Sequence, residues 1–266
     1  MLSENEKSQL IRLYDILSND LILLAKAFNI SEKELDNYFI PEAKLKNQNY
    51  LYRLASSLQN SGMMHNSIKF NDDEKRRKQI EDVLCNWNIK LARKELIDFE
   101  TIYANFEQLD NGTHSKETNW EKYCKGLYDG LQFLDAKNGI DEINSLINYK
   151  FTEISDEFSK LLKRVEAIEK QIYGLGFALT CDWLKECGCE WLAKPDIHIM
   201  EVVKYLKKKE KISNKEVLEF IFDWSKLVDS TSYKIDKIIW LLCTGNFYLT
   251  EAKFGRSAIY KEIDKL

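Results

Sequence analysis

Two prolines, Pro41 and Pro195, and ten glycines are all the chain-breaking residues in 266 positions. A fold of many short strands needs more punctuation than this. Glycine supplies the left-handed backbone of tight turns, and proline presets φ where a turn begins. The chain is therefore expected to be all-α. Apolar residues make up 44% of it, enough to bury one substantial core or two smaller ones, so a disordered chain is not expected.

Periodicity supports helices. Leu10, Leu13, Tyr14, Leu17, Leu21, Leu24 and Phe28 recur mostly at three and four, one helical face, with Asn19-Asp20 as an expected break into two helices. Ser31 stands three residues before Glu34 as a capping box, read as the start of an ordinary packed helix rather than of a DNA-binding helix-turn-helix. The polar stretch Gln59 to Asp73 is expected to be a loop between an N-terminal helical segment, 1–60, and a main body, 73–266. Helical patterns follow over 73–109, 120–134 and 141–147, with a break at Asp110-Asn111-Gly112-Thr113. Ile154, Phe158, Leu161, Leu162, Val165 and Ile168 then form the clearest amphipathic stripe.

The longest apolar runs, such as Ile238 to Cys243, fall far short of the roughly 20 residues of a membrane span. The acidic start Met1-Leu2-Ser3-Glu4-Asn5-Glu6 lacks the features of a signal peptide, and a cytoplasmic location is expected. The six cysteines match no zinc or disulfide framework and are read as reduced. A net charge of -4 argues against coating DNA through bulk charge. The basic runs Lys75-Arg76-Arg77-Lys78 and Lys204 to Lys211 are read as solvated helix faces ahead of phosphate contacts.

The chemistry is expected between Ile168 and Val203. Gly174-Leu175-Gly176 interrupts two helical patterns, allowing the chain to reverse and the second helix to begin with its amides exposed, a geometry that grips a phosphate. A second helix-length segment leads to Lys194-Pro195-Asp196-Ile197-His198-Ile199. Here the sequence resembles the helix-hairpin-helix DNA glycosylases, a group including endonuclease III and the 8-oxoguanine glycosylases. Their members carry a Leu-Pro-Gly-Val-Gly hairpin, a helix, and then Val-Asp-x-His-Val. Two departures stand out. Tyr173 replaces the hairpin proline, and Ala178, 18 residues before Asp196, occupies the place of the nucleophilic lysine of bifunctional members.

The resemblance implies an all-α, helix-hairpin-helix glycosylase-like fold with an additional N-terminal helical segment, a hairpin over 168–188 and a catalytic loop over 194–200. Asp196 would be the catalytic carboxylate, because breaking an N-glycosidic bond builds positive charge on the sugar that a fixed carboxylate stabilises. The other reading of Asp196 is a plain helix cap. Gly174, Leu175, Gly176, Lys194 and His198 are expected to contact DNA, and no histidine cluster suggests a metal. Asp182, on the helical face of Ala178, lines the base pocket or faces solvent. Trp240, Phe247 and Tyr248 are candidates to stack on an extruded base, with core packing as the alternative.

No cofactor is expected to be required. The resemblance suggests a structural Na+ or K+ at the carbonyls of Lys170, Ile172 and Leu175, and no iron-sulfur cluster, since no four-cysteine signature follows. The expected partner is double-stranded DNA with a damaged or modified base, with no membrane, and a monomer is expected. The expected activity is monofunctional excision in base repair. Alternatives are an antiphage glycosylase acting on hypermodified phage bases, a non-catalytic DNA-binding hairpin protein, and a purely structural helical protein.

Overall fold

A computed structural model describes residues 3–46, 48–62, 64–110, 117–152, 157–250 and 252–255. They are predominantly helical and form two compact units, one from Met1–Pro41 with Cys189–Leu266, the other from Glu42–Gly188. Residues 1–60, expected as one N-terminal segment, are thus shared between the units, and the stretch Gln59 to Asp73 lies wholly within the second. That stretch is not simply a loop. It holds a short helix, and Met64, Ile68 and Phe70 are buried, with the Gln59 side chain accepting the Phe70 amide.

The first unit holds α1 (Glu4–Ala27) and α2 (Glu32–Asp36). Helix α1 is continuous, contrary to the expected break at Asn19-Asp20. Both residues sit on the outward side of the helix between buried Leu17 and Leu21, where low helix propensity is outweighed by packing on the other face. Capping boxes start both helices, Ser3 with Glu6 and Ser31 with Glu34.

The second unit runs through α3 (Glu42–Leu45), α4 (Tyr50–Leu58), α5 (His65–Ile68), α6 (Glu74–Val83), α7 (Ile89–Glu95), α8 (Phe99–Tyr103), α9 (Asn119–Asp135), α10 (Gly139–Ile147), α11 (Glu157–Glu169) and α12 (Phe177–Cys187). Helix α4 lies against α9 and α12 and is buried on nearly every side. Gly130 allows the approach of α9, since a Cβ there would stand 1.9 Å from Leu54 Cδ2. Trp183 Nε1 donates to the Tyr50 carbonyl at 2.9 Å, and Tyr123 Oη to that of Ala55 at 3.0 Å, so large aromatic groups are buried with their polar ends satisfied. In α11 Leu161, Leu162, Val165 and Ile168 of the expected stripe are buried and Phe158 is partly exposed, while Ile154 and Asn111 to Thr113 lie outside the described residues.

The first unit resumes with α13 (Ile197–Leu206), α14 (Asn214–Leu227), α15 (Ser232–Thr244) and the antiparallel pair β1 (Asn246–Phe247) and β2 (Ala252–Lys253). Helix α15 packs against α1, α13 and α14. Trp224 of α14, fully buried, donates its indole N–H to the Leu10 carbonyl of α1 at 3.0 Å. Among the described residues no helix is long and apolar enough to cross a membrane.

Candidate functional site

The two segments singled out by sequence lie in different units, and each is built by its own neighbours. In the second unit α11 ends at Glu169, the chain turns over 170–176, and α12 begins at Phe177. Gly174 has φ +74°, a conformation that a side chain disfavours. Gly176 is the N-cap, at φ -53° and ψ 164°, and offers no side chain to cap the helix. Thr180 N and Leu179 N return to the Gly176 carbonyl, whereas the amides of Gly176, Phe177 and Ala178 have no protein acceptor among the described residues. A Cβ built on Gly174 or Gly176 would meet no atom within 4 Å. Open space therefore faces a helix start that carries unspent donors, which suits an anion.

Helix α9 holds this turn. The Tyr173 amide donates to Asp129 Oδ2 at 3.0 Å, and its hydroxyl to Glu117 Oε2 at 2.6 Å. Lys125 bonds Glu117 Oε1 at 2.6 Å and stands 5.7 Å from the Tyr173 ring centroid. Gly126 leaves room, because a Cβ there would lie 2.7 Å from the Tyr173 carbonyl oxygen. Burial raises the Asp129 pKa, opposed by the Tyr173 N–H. For Glu117 burial acts in the same direction, but the bonds from Lys125 and Tyr173 leave its pKa lowered. Of the three carbonyls suggested for a cation, Leu175 O accepts the Thr180 hydroxyl at 2.9 Å and Ile172 O accepts the Leu175 amide at 3.3 Å, each keeping a second lone pair.

In the first unit Asp196 is the N-cap of α13, its Oδ1 accepting the amides of His198 at 3.0 Å and Ile199 at 3.2 Å. Its Oδ2 accepts no hydrogen bond among the described residues, and the side chain is partly exposed. The cap given as the other reading of Asp196 is thus present, and it leaves one carboxylate oxygen for other use. The Asp196 amide closes a three-residue turn on the Lys194 carbonyl at 2.7 Å around buried Pro195. The Lys194 amide donates to Asp236 Oδ2 of α15 at 2.6 Å. Asp236 is 2% exposed. His198 is partly buried at the helix start, and Ile197 is 66% exposed.

The remaining candidates are placed differently. Asp182 does not face solvent. It is buried in the second unit, accepting from Ser57 Oγ at 3.1 Å and standing 3.8 Å from Lys185 Nζ. Around it Arg53 pairs with Glu42 at 2.5 Å and Lys185 with Glu186 at 2.8 Å. Burial works against the Arg53 charge, but Glu42, Glu186 and Asp182 outweigh it and raise its pKa. Phe247 is fully buried, against Tyr38 and Phe254, so core packing accounts for it. Trp240 and Tyr248 are partly exposed and meet edge to face at 5.5 Å, with Lys237 Nζ donating to Tyr248 Oη at 3.1 Å. Of the first basic run, Arg76 lies over Trp120, Arg77 reaches the carbonyls of Phe70 and Asn71, and Lys78 pairs with Glu81 and Asp82.

No disulfide joins any of the six cysteines, and the described residues contain no group of three or more potential ligands placed to hold a metal ion. Asp129 and Asp236, the carboxylates that hold the two segments, escaped the sequence reading, because their partners lie 44 and 42 residues away. Compared with family models, curated proteins and solved structures, the chain matches none of them.

Proposed function

We propose that the chain is a monofunctional DNA glycosylase of the helix-hairpin-helix kind, excising a damaged or modified base from duplex DNA. One observation carries the reading. The residues of the resemblance form a turn whose unspent amides face open space, and an aspartate whose cap leaves one oxygen unused.

In this reading the amides of Gly176, Phe177 and Ala178 grip one backbone phosphate, with the α12 dipole adding to the attraction. The nucleotide is extruded, and its C1′–N bond breaks with the electron pair leaving on the base. Positive charge grows on the sugar, and Asp196 Oδ2 stabilises it and accepts the proton of the water that adds to C1′. Oδ1 stays on the His198 and Ile199 amides, which fixes the carboxylate's direction. Ala178 has no amine with which to form a Schiff base, so the product is an abasic site without strand cleavage. Extrusion costs least where pairing is already weakened, which favours damaged or modified bases, whether in the cell's own DNA or in phage DNA.

The test is a panel of duplexes carrying alkylated, oxidised or hypermodified bases, scored for alkali-labile sites with wild type and Asp196→Asn. Base release by the wild type, lost in the variant and giving no borohydride-trapped adduct, supports the proposal. A wild type that neither releases a base nor binds duplex at low salt leaves a purely structural helical protein instead.

A further inference from the structure

We infer that Asp129 and Asp236 are positioning residues, each fixing one of the two functional segments by accepting a backbone N–H from it, Asp129 serving DNA binding and Asp236 serving the chemistry. The inference rests on the glycosylase reading and adds a division of labour to it.

The geometry is parallel in the two units. Asp129 accepts the amide of Tyr173, the residue just before Gly174, and Asp236 accepts that of Lys194, two residues before Asp196. Both amides belong to irregular chain, where no helical carbonyl is at hand to satisfy them. Both acceptors sit on long helices packed into the core of their own unit, so the irregular segment is referenced to a rigid element. A carboxylate is costly to bury unless it is hydrogen-bonded, and Asp236 is almost fully buried. Its 2.6 Å bond lies at the short end for a charge-assisted contact.

Each anchor reaches its functional atoms through few bonds. The Lys194 peptide is held at both ends, its N–H by Asp236 and its carbonyl by the Asp196 amide, so a shift of Lys194 is passed to Asp196 across one proline of fixed φ. At the hairpin, the departure from the family pattern acquires a physical reason. A proline at 173 would have no N–H to give Asp129. Tyr173 supplies that donor, and its hydroxyl adds a second hold on Glu117. Ring rigidity is thereby replaced by hydrogen bonds to Asp129 of α9 and to Glu117 just before that helix.

The experiment compares Asp129→Leu, Asp236→Leu and the corresponding asparagine variants on a duplex from which the wild type releases a base, measuring Kd and the single-turnover excision rate at saturating enzyme. Asp129→Leu is expected to weaken binding about tenfold with the saturated rate unchanged. Asp236→Leu should lower the rate at least about tenfold with Kd unchanged, since small misplacements of a catalytic group are costly. Both asparagine variants retain an acceptor oxygen and are expected to restore wild-type values. Equal loss of Kd and rate in both leucine variants, or no rescue by asparagine, overturns the inference.

Amide hydrogen exchange reads the same bonds without catalysis. In the wild type the Tyr173 and Lys194 amides should exchange more slowly than those of Gly176 and Ala178, and exchange as fast as these overturns the inference even if a leucine variant fails to fold. An inactive wild type with both amides protected defeats the glycosylase reading while the two anchors stand.

Discussion

Gly176→Ala separates the grip on DNA from the stability of the fold. The backbone at 176, φ -53° and ψ 164°, is one that alanine adopts without strain, and the added Cβ meets nothing within 4 Å. As an N-cap, alanine is worse than glycine by about 0.5–1 kcal/mol. Against this, alanine restricts the unfolded chain and recovers about 0.4–1 kcal/mol. The two nearly cancel, so Tm should move by no more than about 2 °C. Binding has no such compensation. A methyl group in the open space before the Gly176, Phe177 and Ala178 amides holds a phosphate off, and one lost hydrogen bond to a charged group is worth about 1.5–3 kcal/mol, or about ten- to a hundredfold in Kd. Fluorescence anisotropy with a labelled duplex at fixed salt, beside a thermal melt, measures both. Gly174→Ala is a poorer probe, because φ +74° costs an alanine about 1–2 kcal/mol whatever the space around it. Unchanged affinity in Gly176→Ala would refute the hairpin as the site of the grip.

Asp196→Asn should abolish excision yet keep the α13 cap, since asparagine caps as well as aspartate, whereas Asp196→Ala should lose excision and also about 1 kcal/mol of stability; thermal melts beside single-turnover assays separate the two. Neutralising Lys75, Arg76, Arg77 and Lys78 together should weaken DNA binding less than Gly176→Ala, because three of the four are engaged within the protein; the same anisotropy assay compares them. Gly130→Ala should destabilise the second unit by about 1–3 kcal/mol in chemical denaturation, since its Cβ collides with Leu54 in a packed interface. Glu216 is held at about 2, below its ordinary 4.5, by Lys209 and Ser213, so its stabilisation is present above about pH 4.5 and is lost as pH falls toward 2. Amide exchange in the first turn of α14, followed down that range, checks this.

What was legible in the sequence was local. The box of Ser31 and Glu34, the apolar stripe of α11 and the glycine turn at 174–176 each depend on residues within a few positions of one another, and each takes the expected form. Asn19-Asp20 misled because a local break signal on an outward face yields to burial of Leu17 and Leu21 on the inward one. Asp182 illustrates a different limit. Its position on a helix was evident, but its burial depends on Ser57 and Lys185 meeting it, and Ser57 is 125 residues away. Separation in sequence, 44 and 42 residues, likewise hid Asp129 and Asp236.

The first unit is made from both ends of the chain, and this bears on the order in which its parts emerge from the ribosome. Helix α1 is synthesised early, yet the helices that cover Leu10, Leu13, Leu17 and Leu21, α14 and α15, come after all of Glu42–Gly188. The second unit, continuous in sequence, has its partners in hand as soon as α12 is out, and it can fold while α1 still waits with an apolar stripe exposed. Nascent chains stalled between α12 and α15 should therefore be cut by protease within 1–41 while 42–188 resists, and protection of α1 should arrive only once Trp224 has been made and reaches the Leu10 carbonyl.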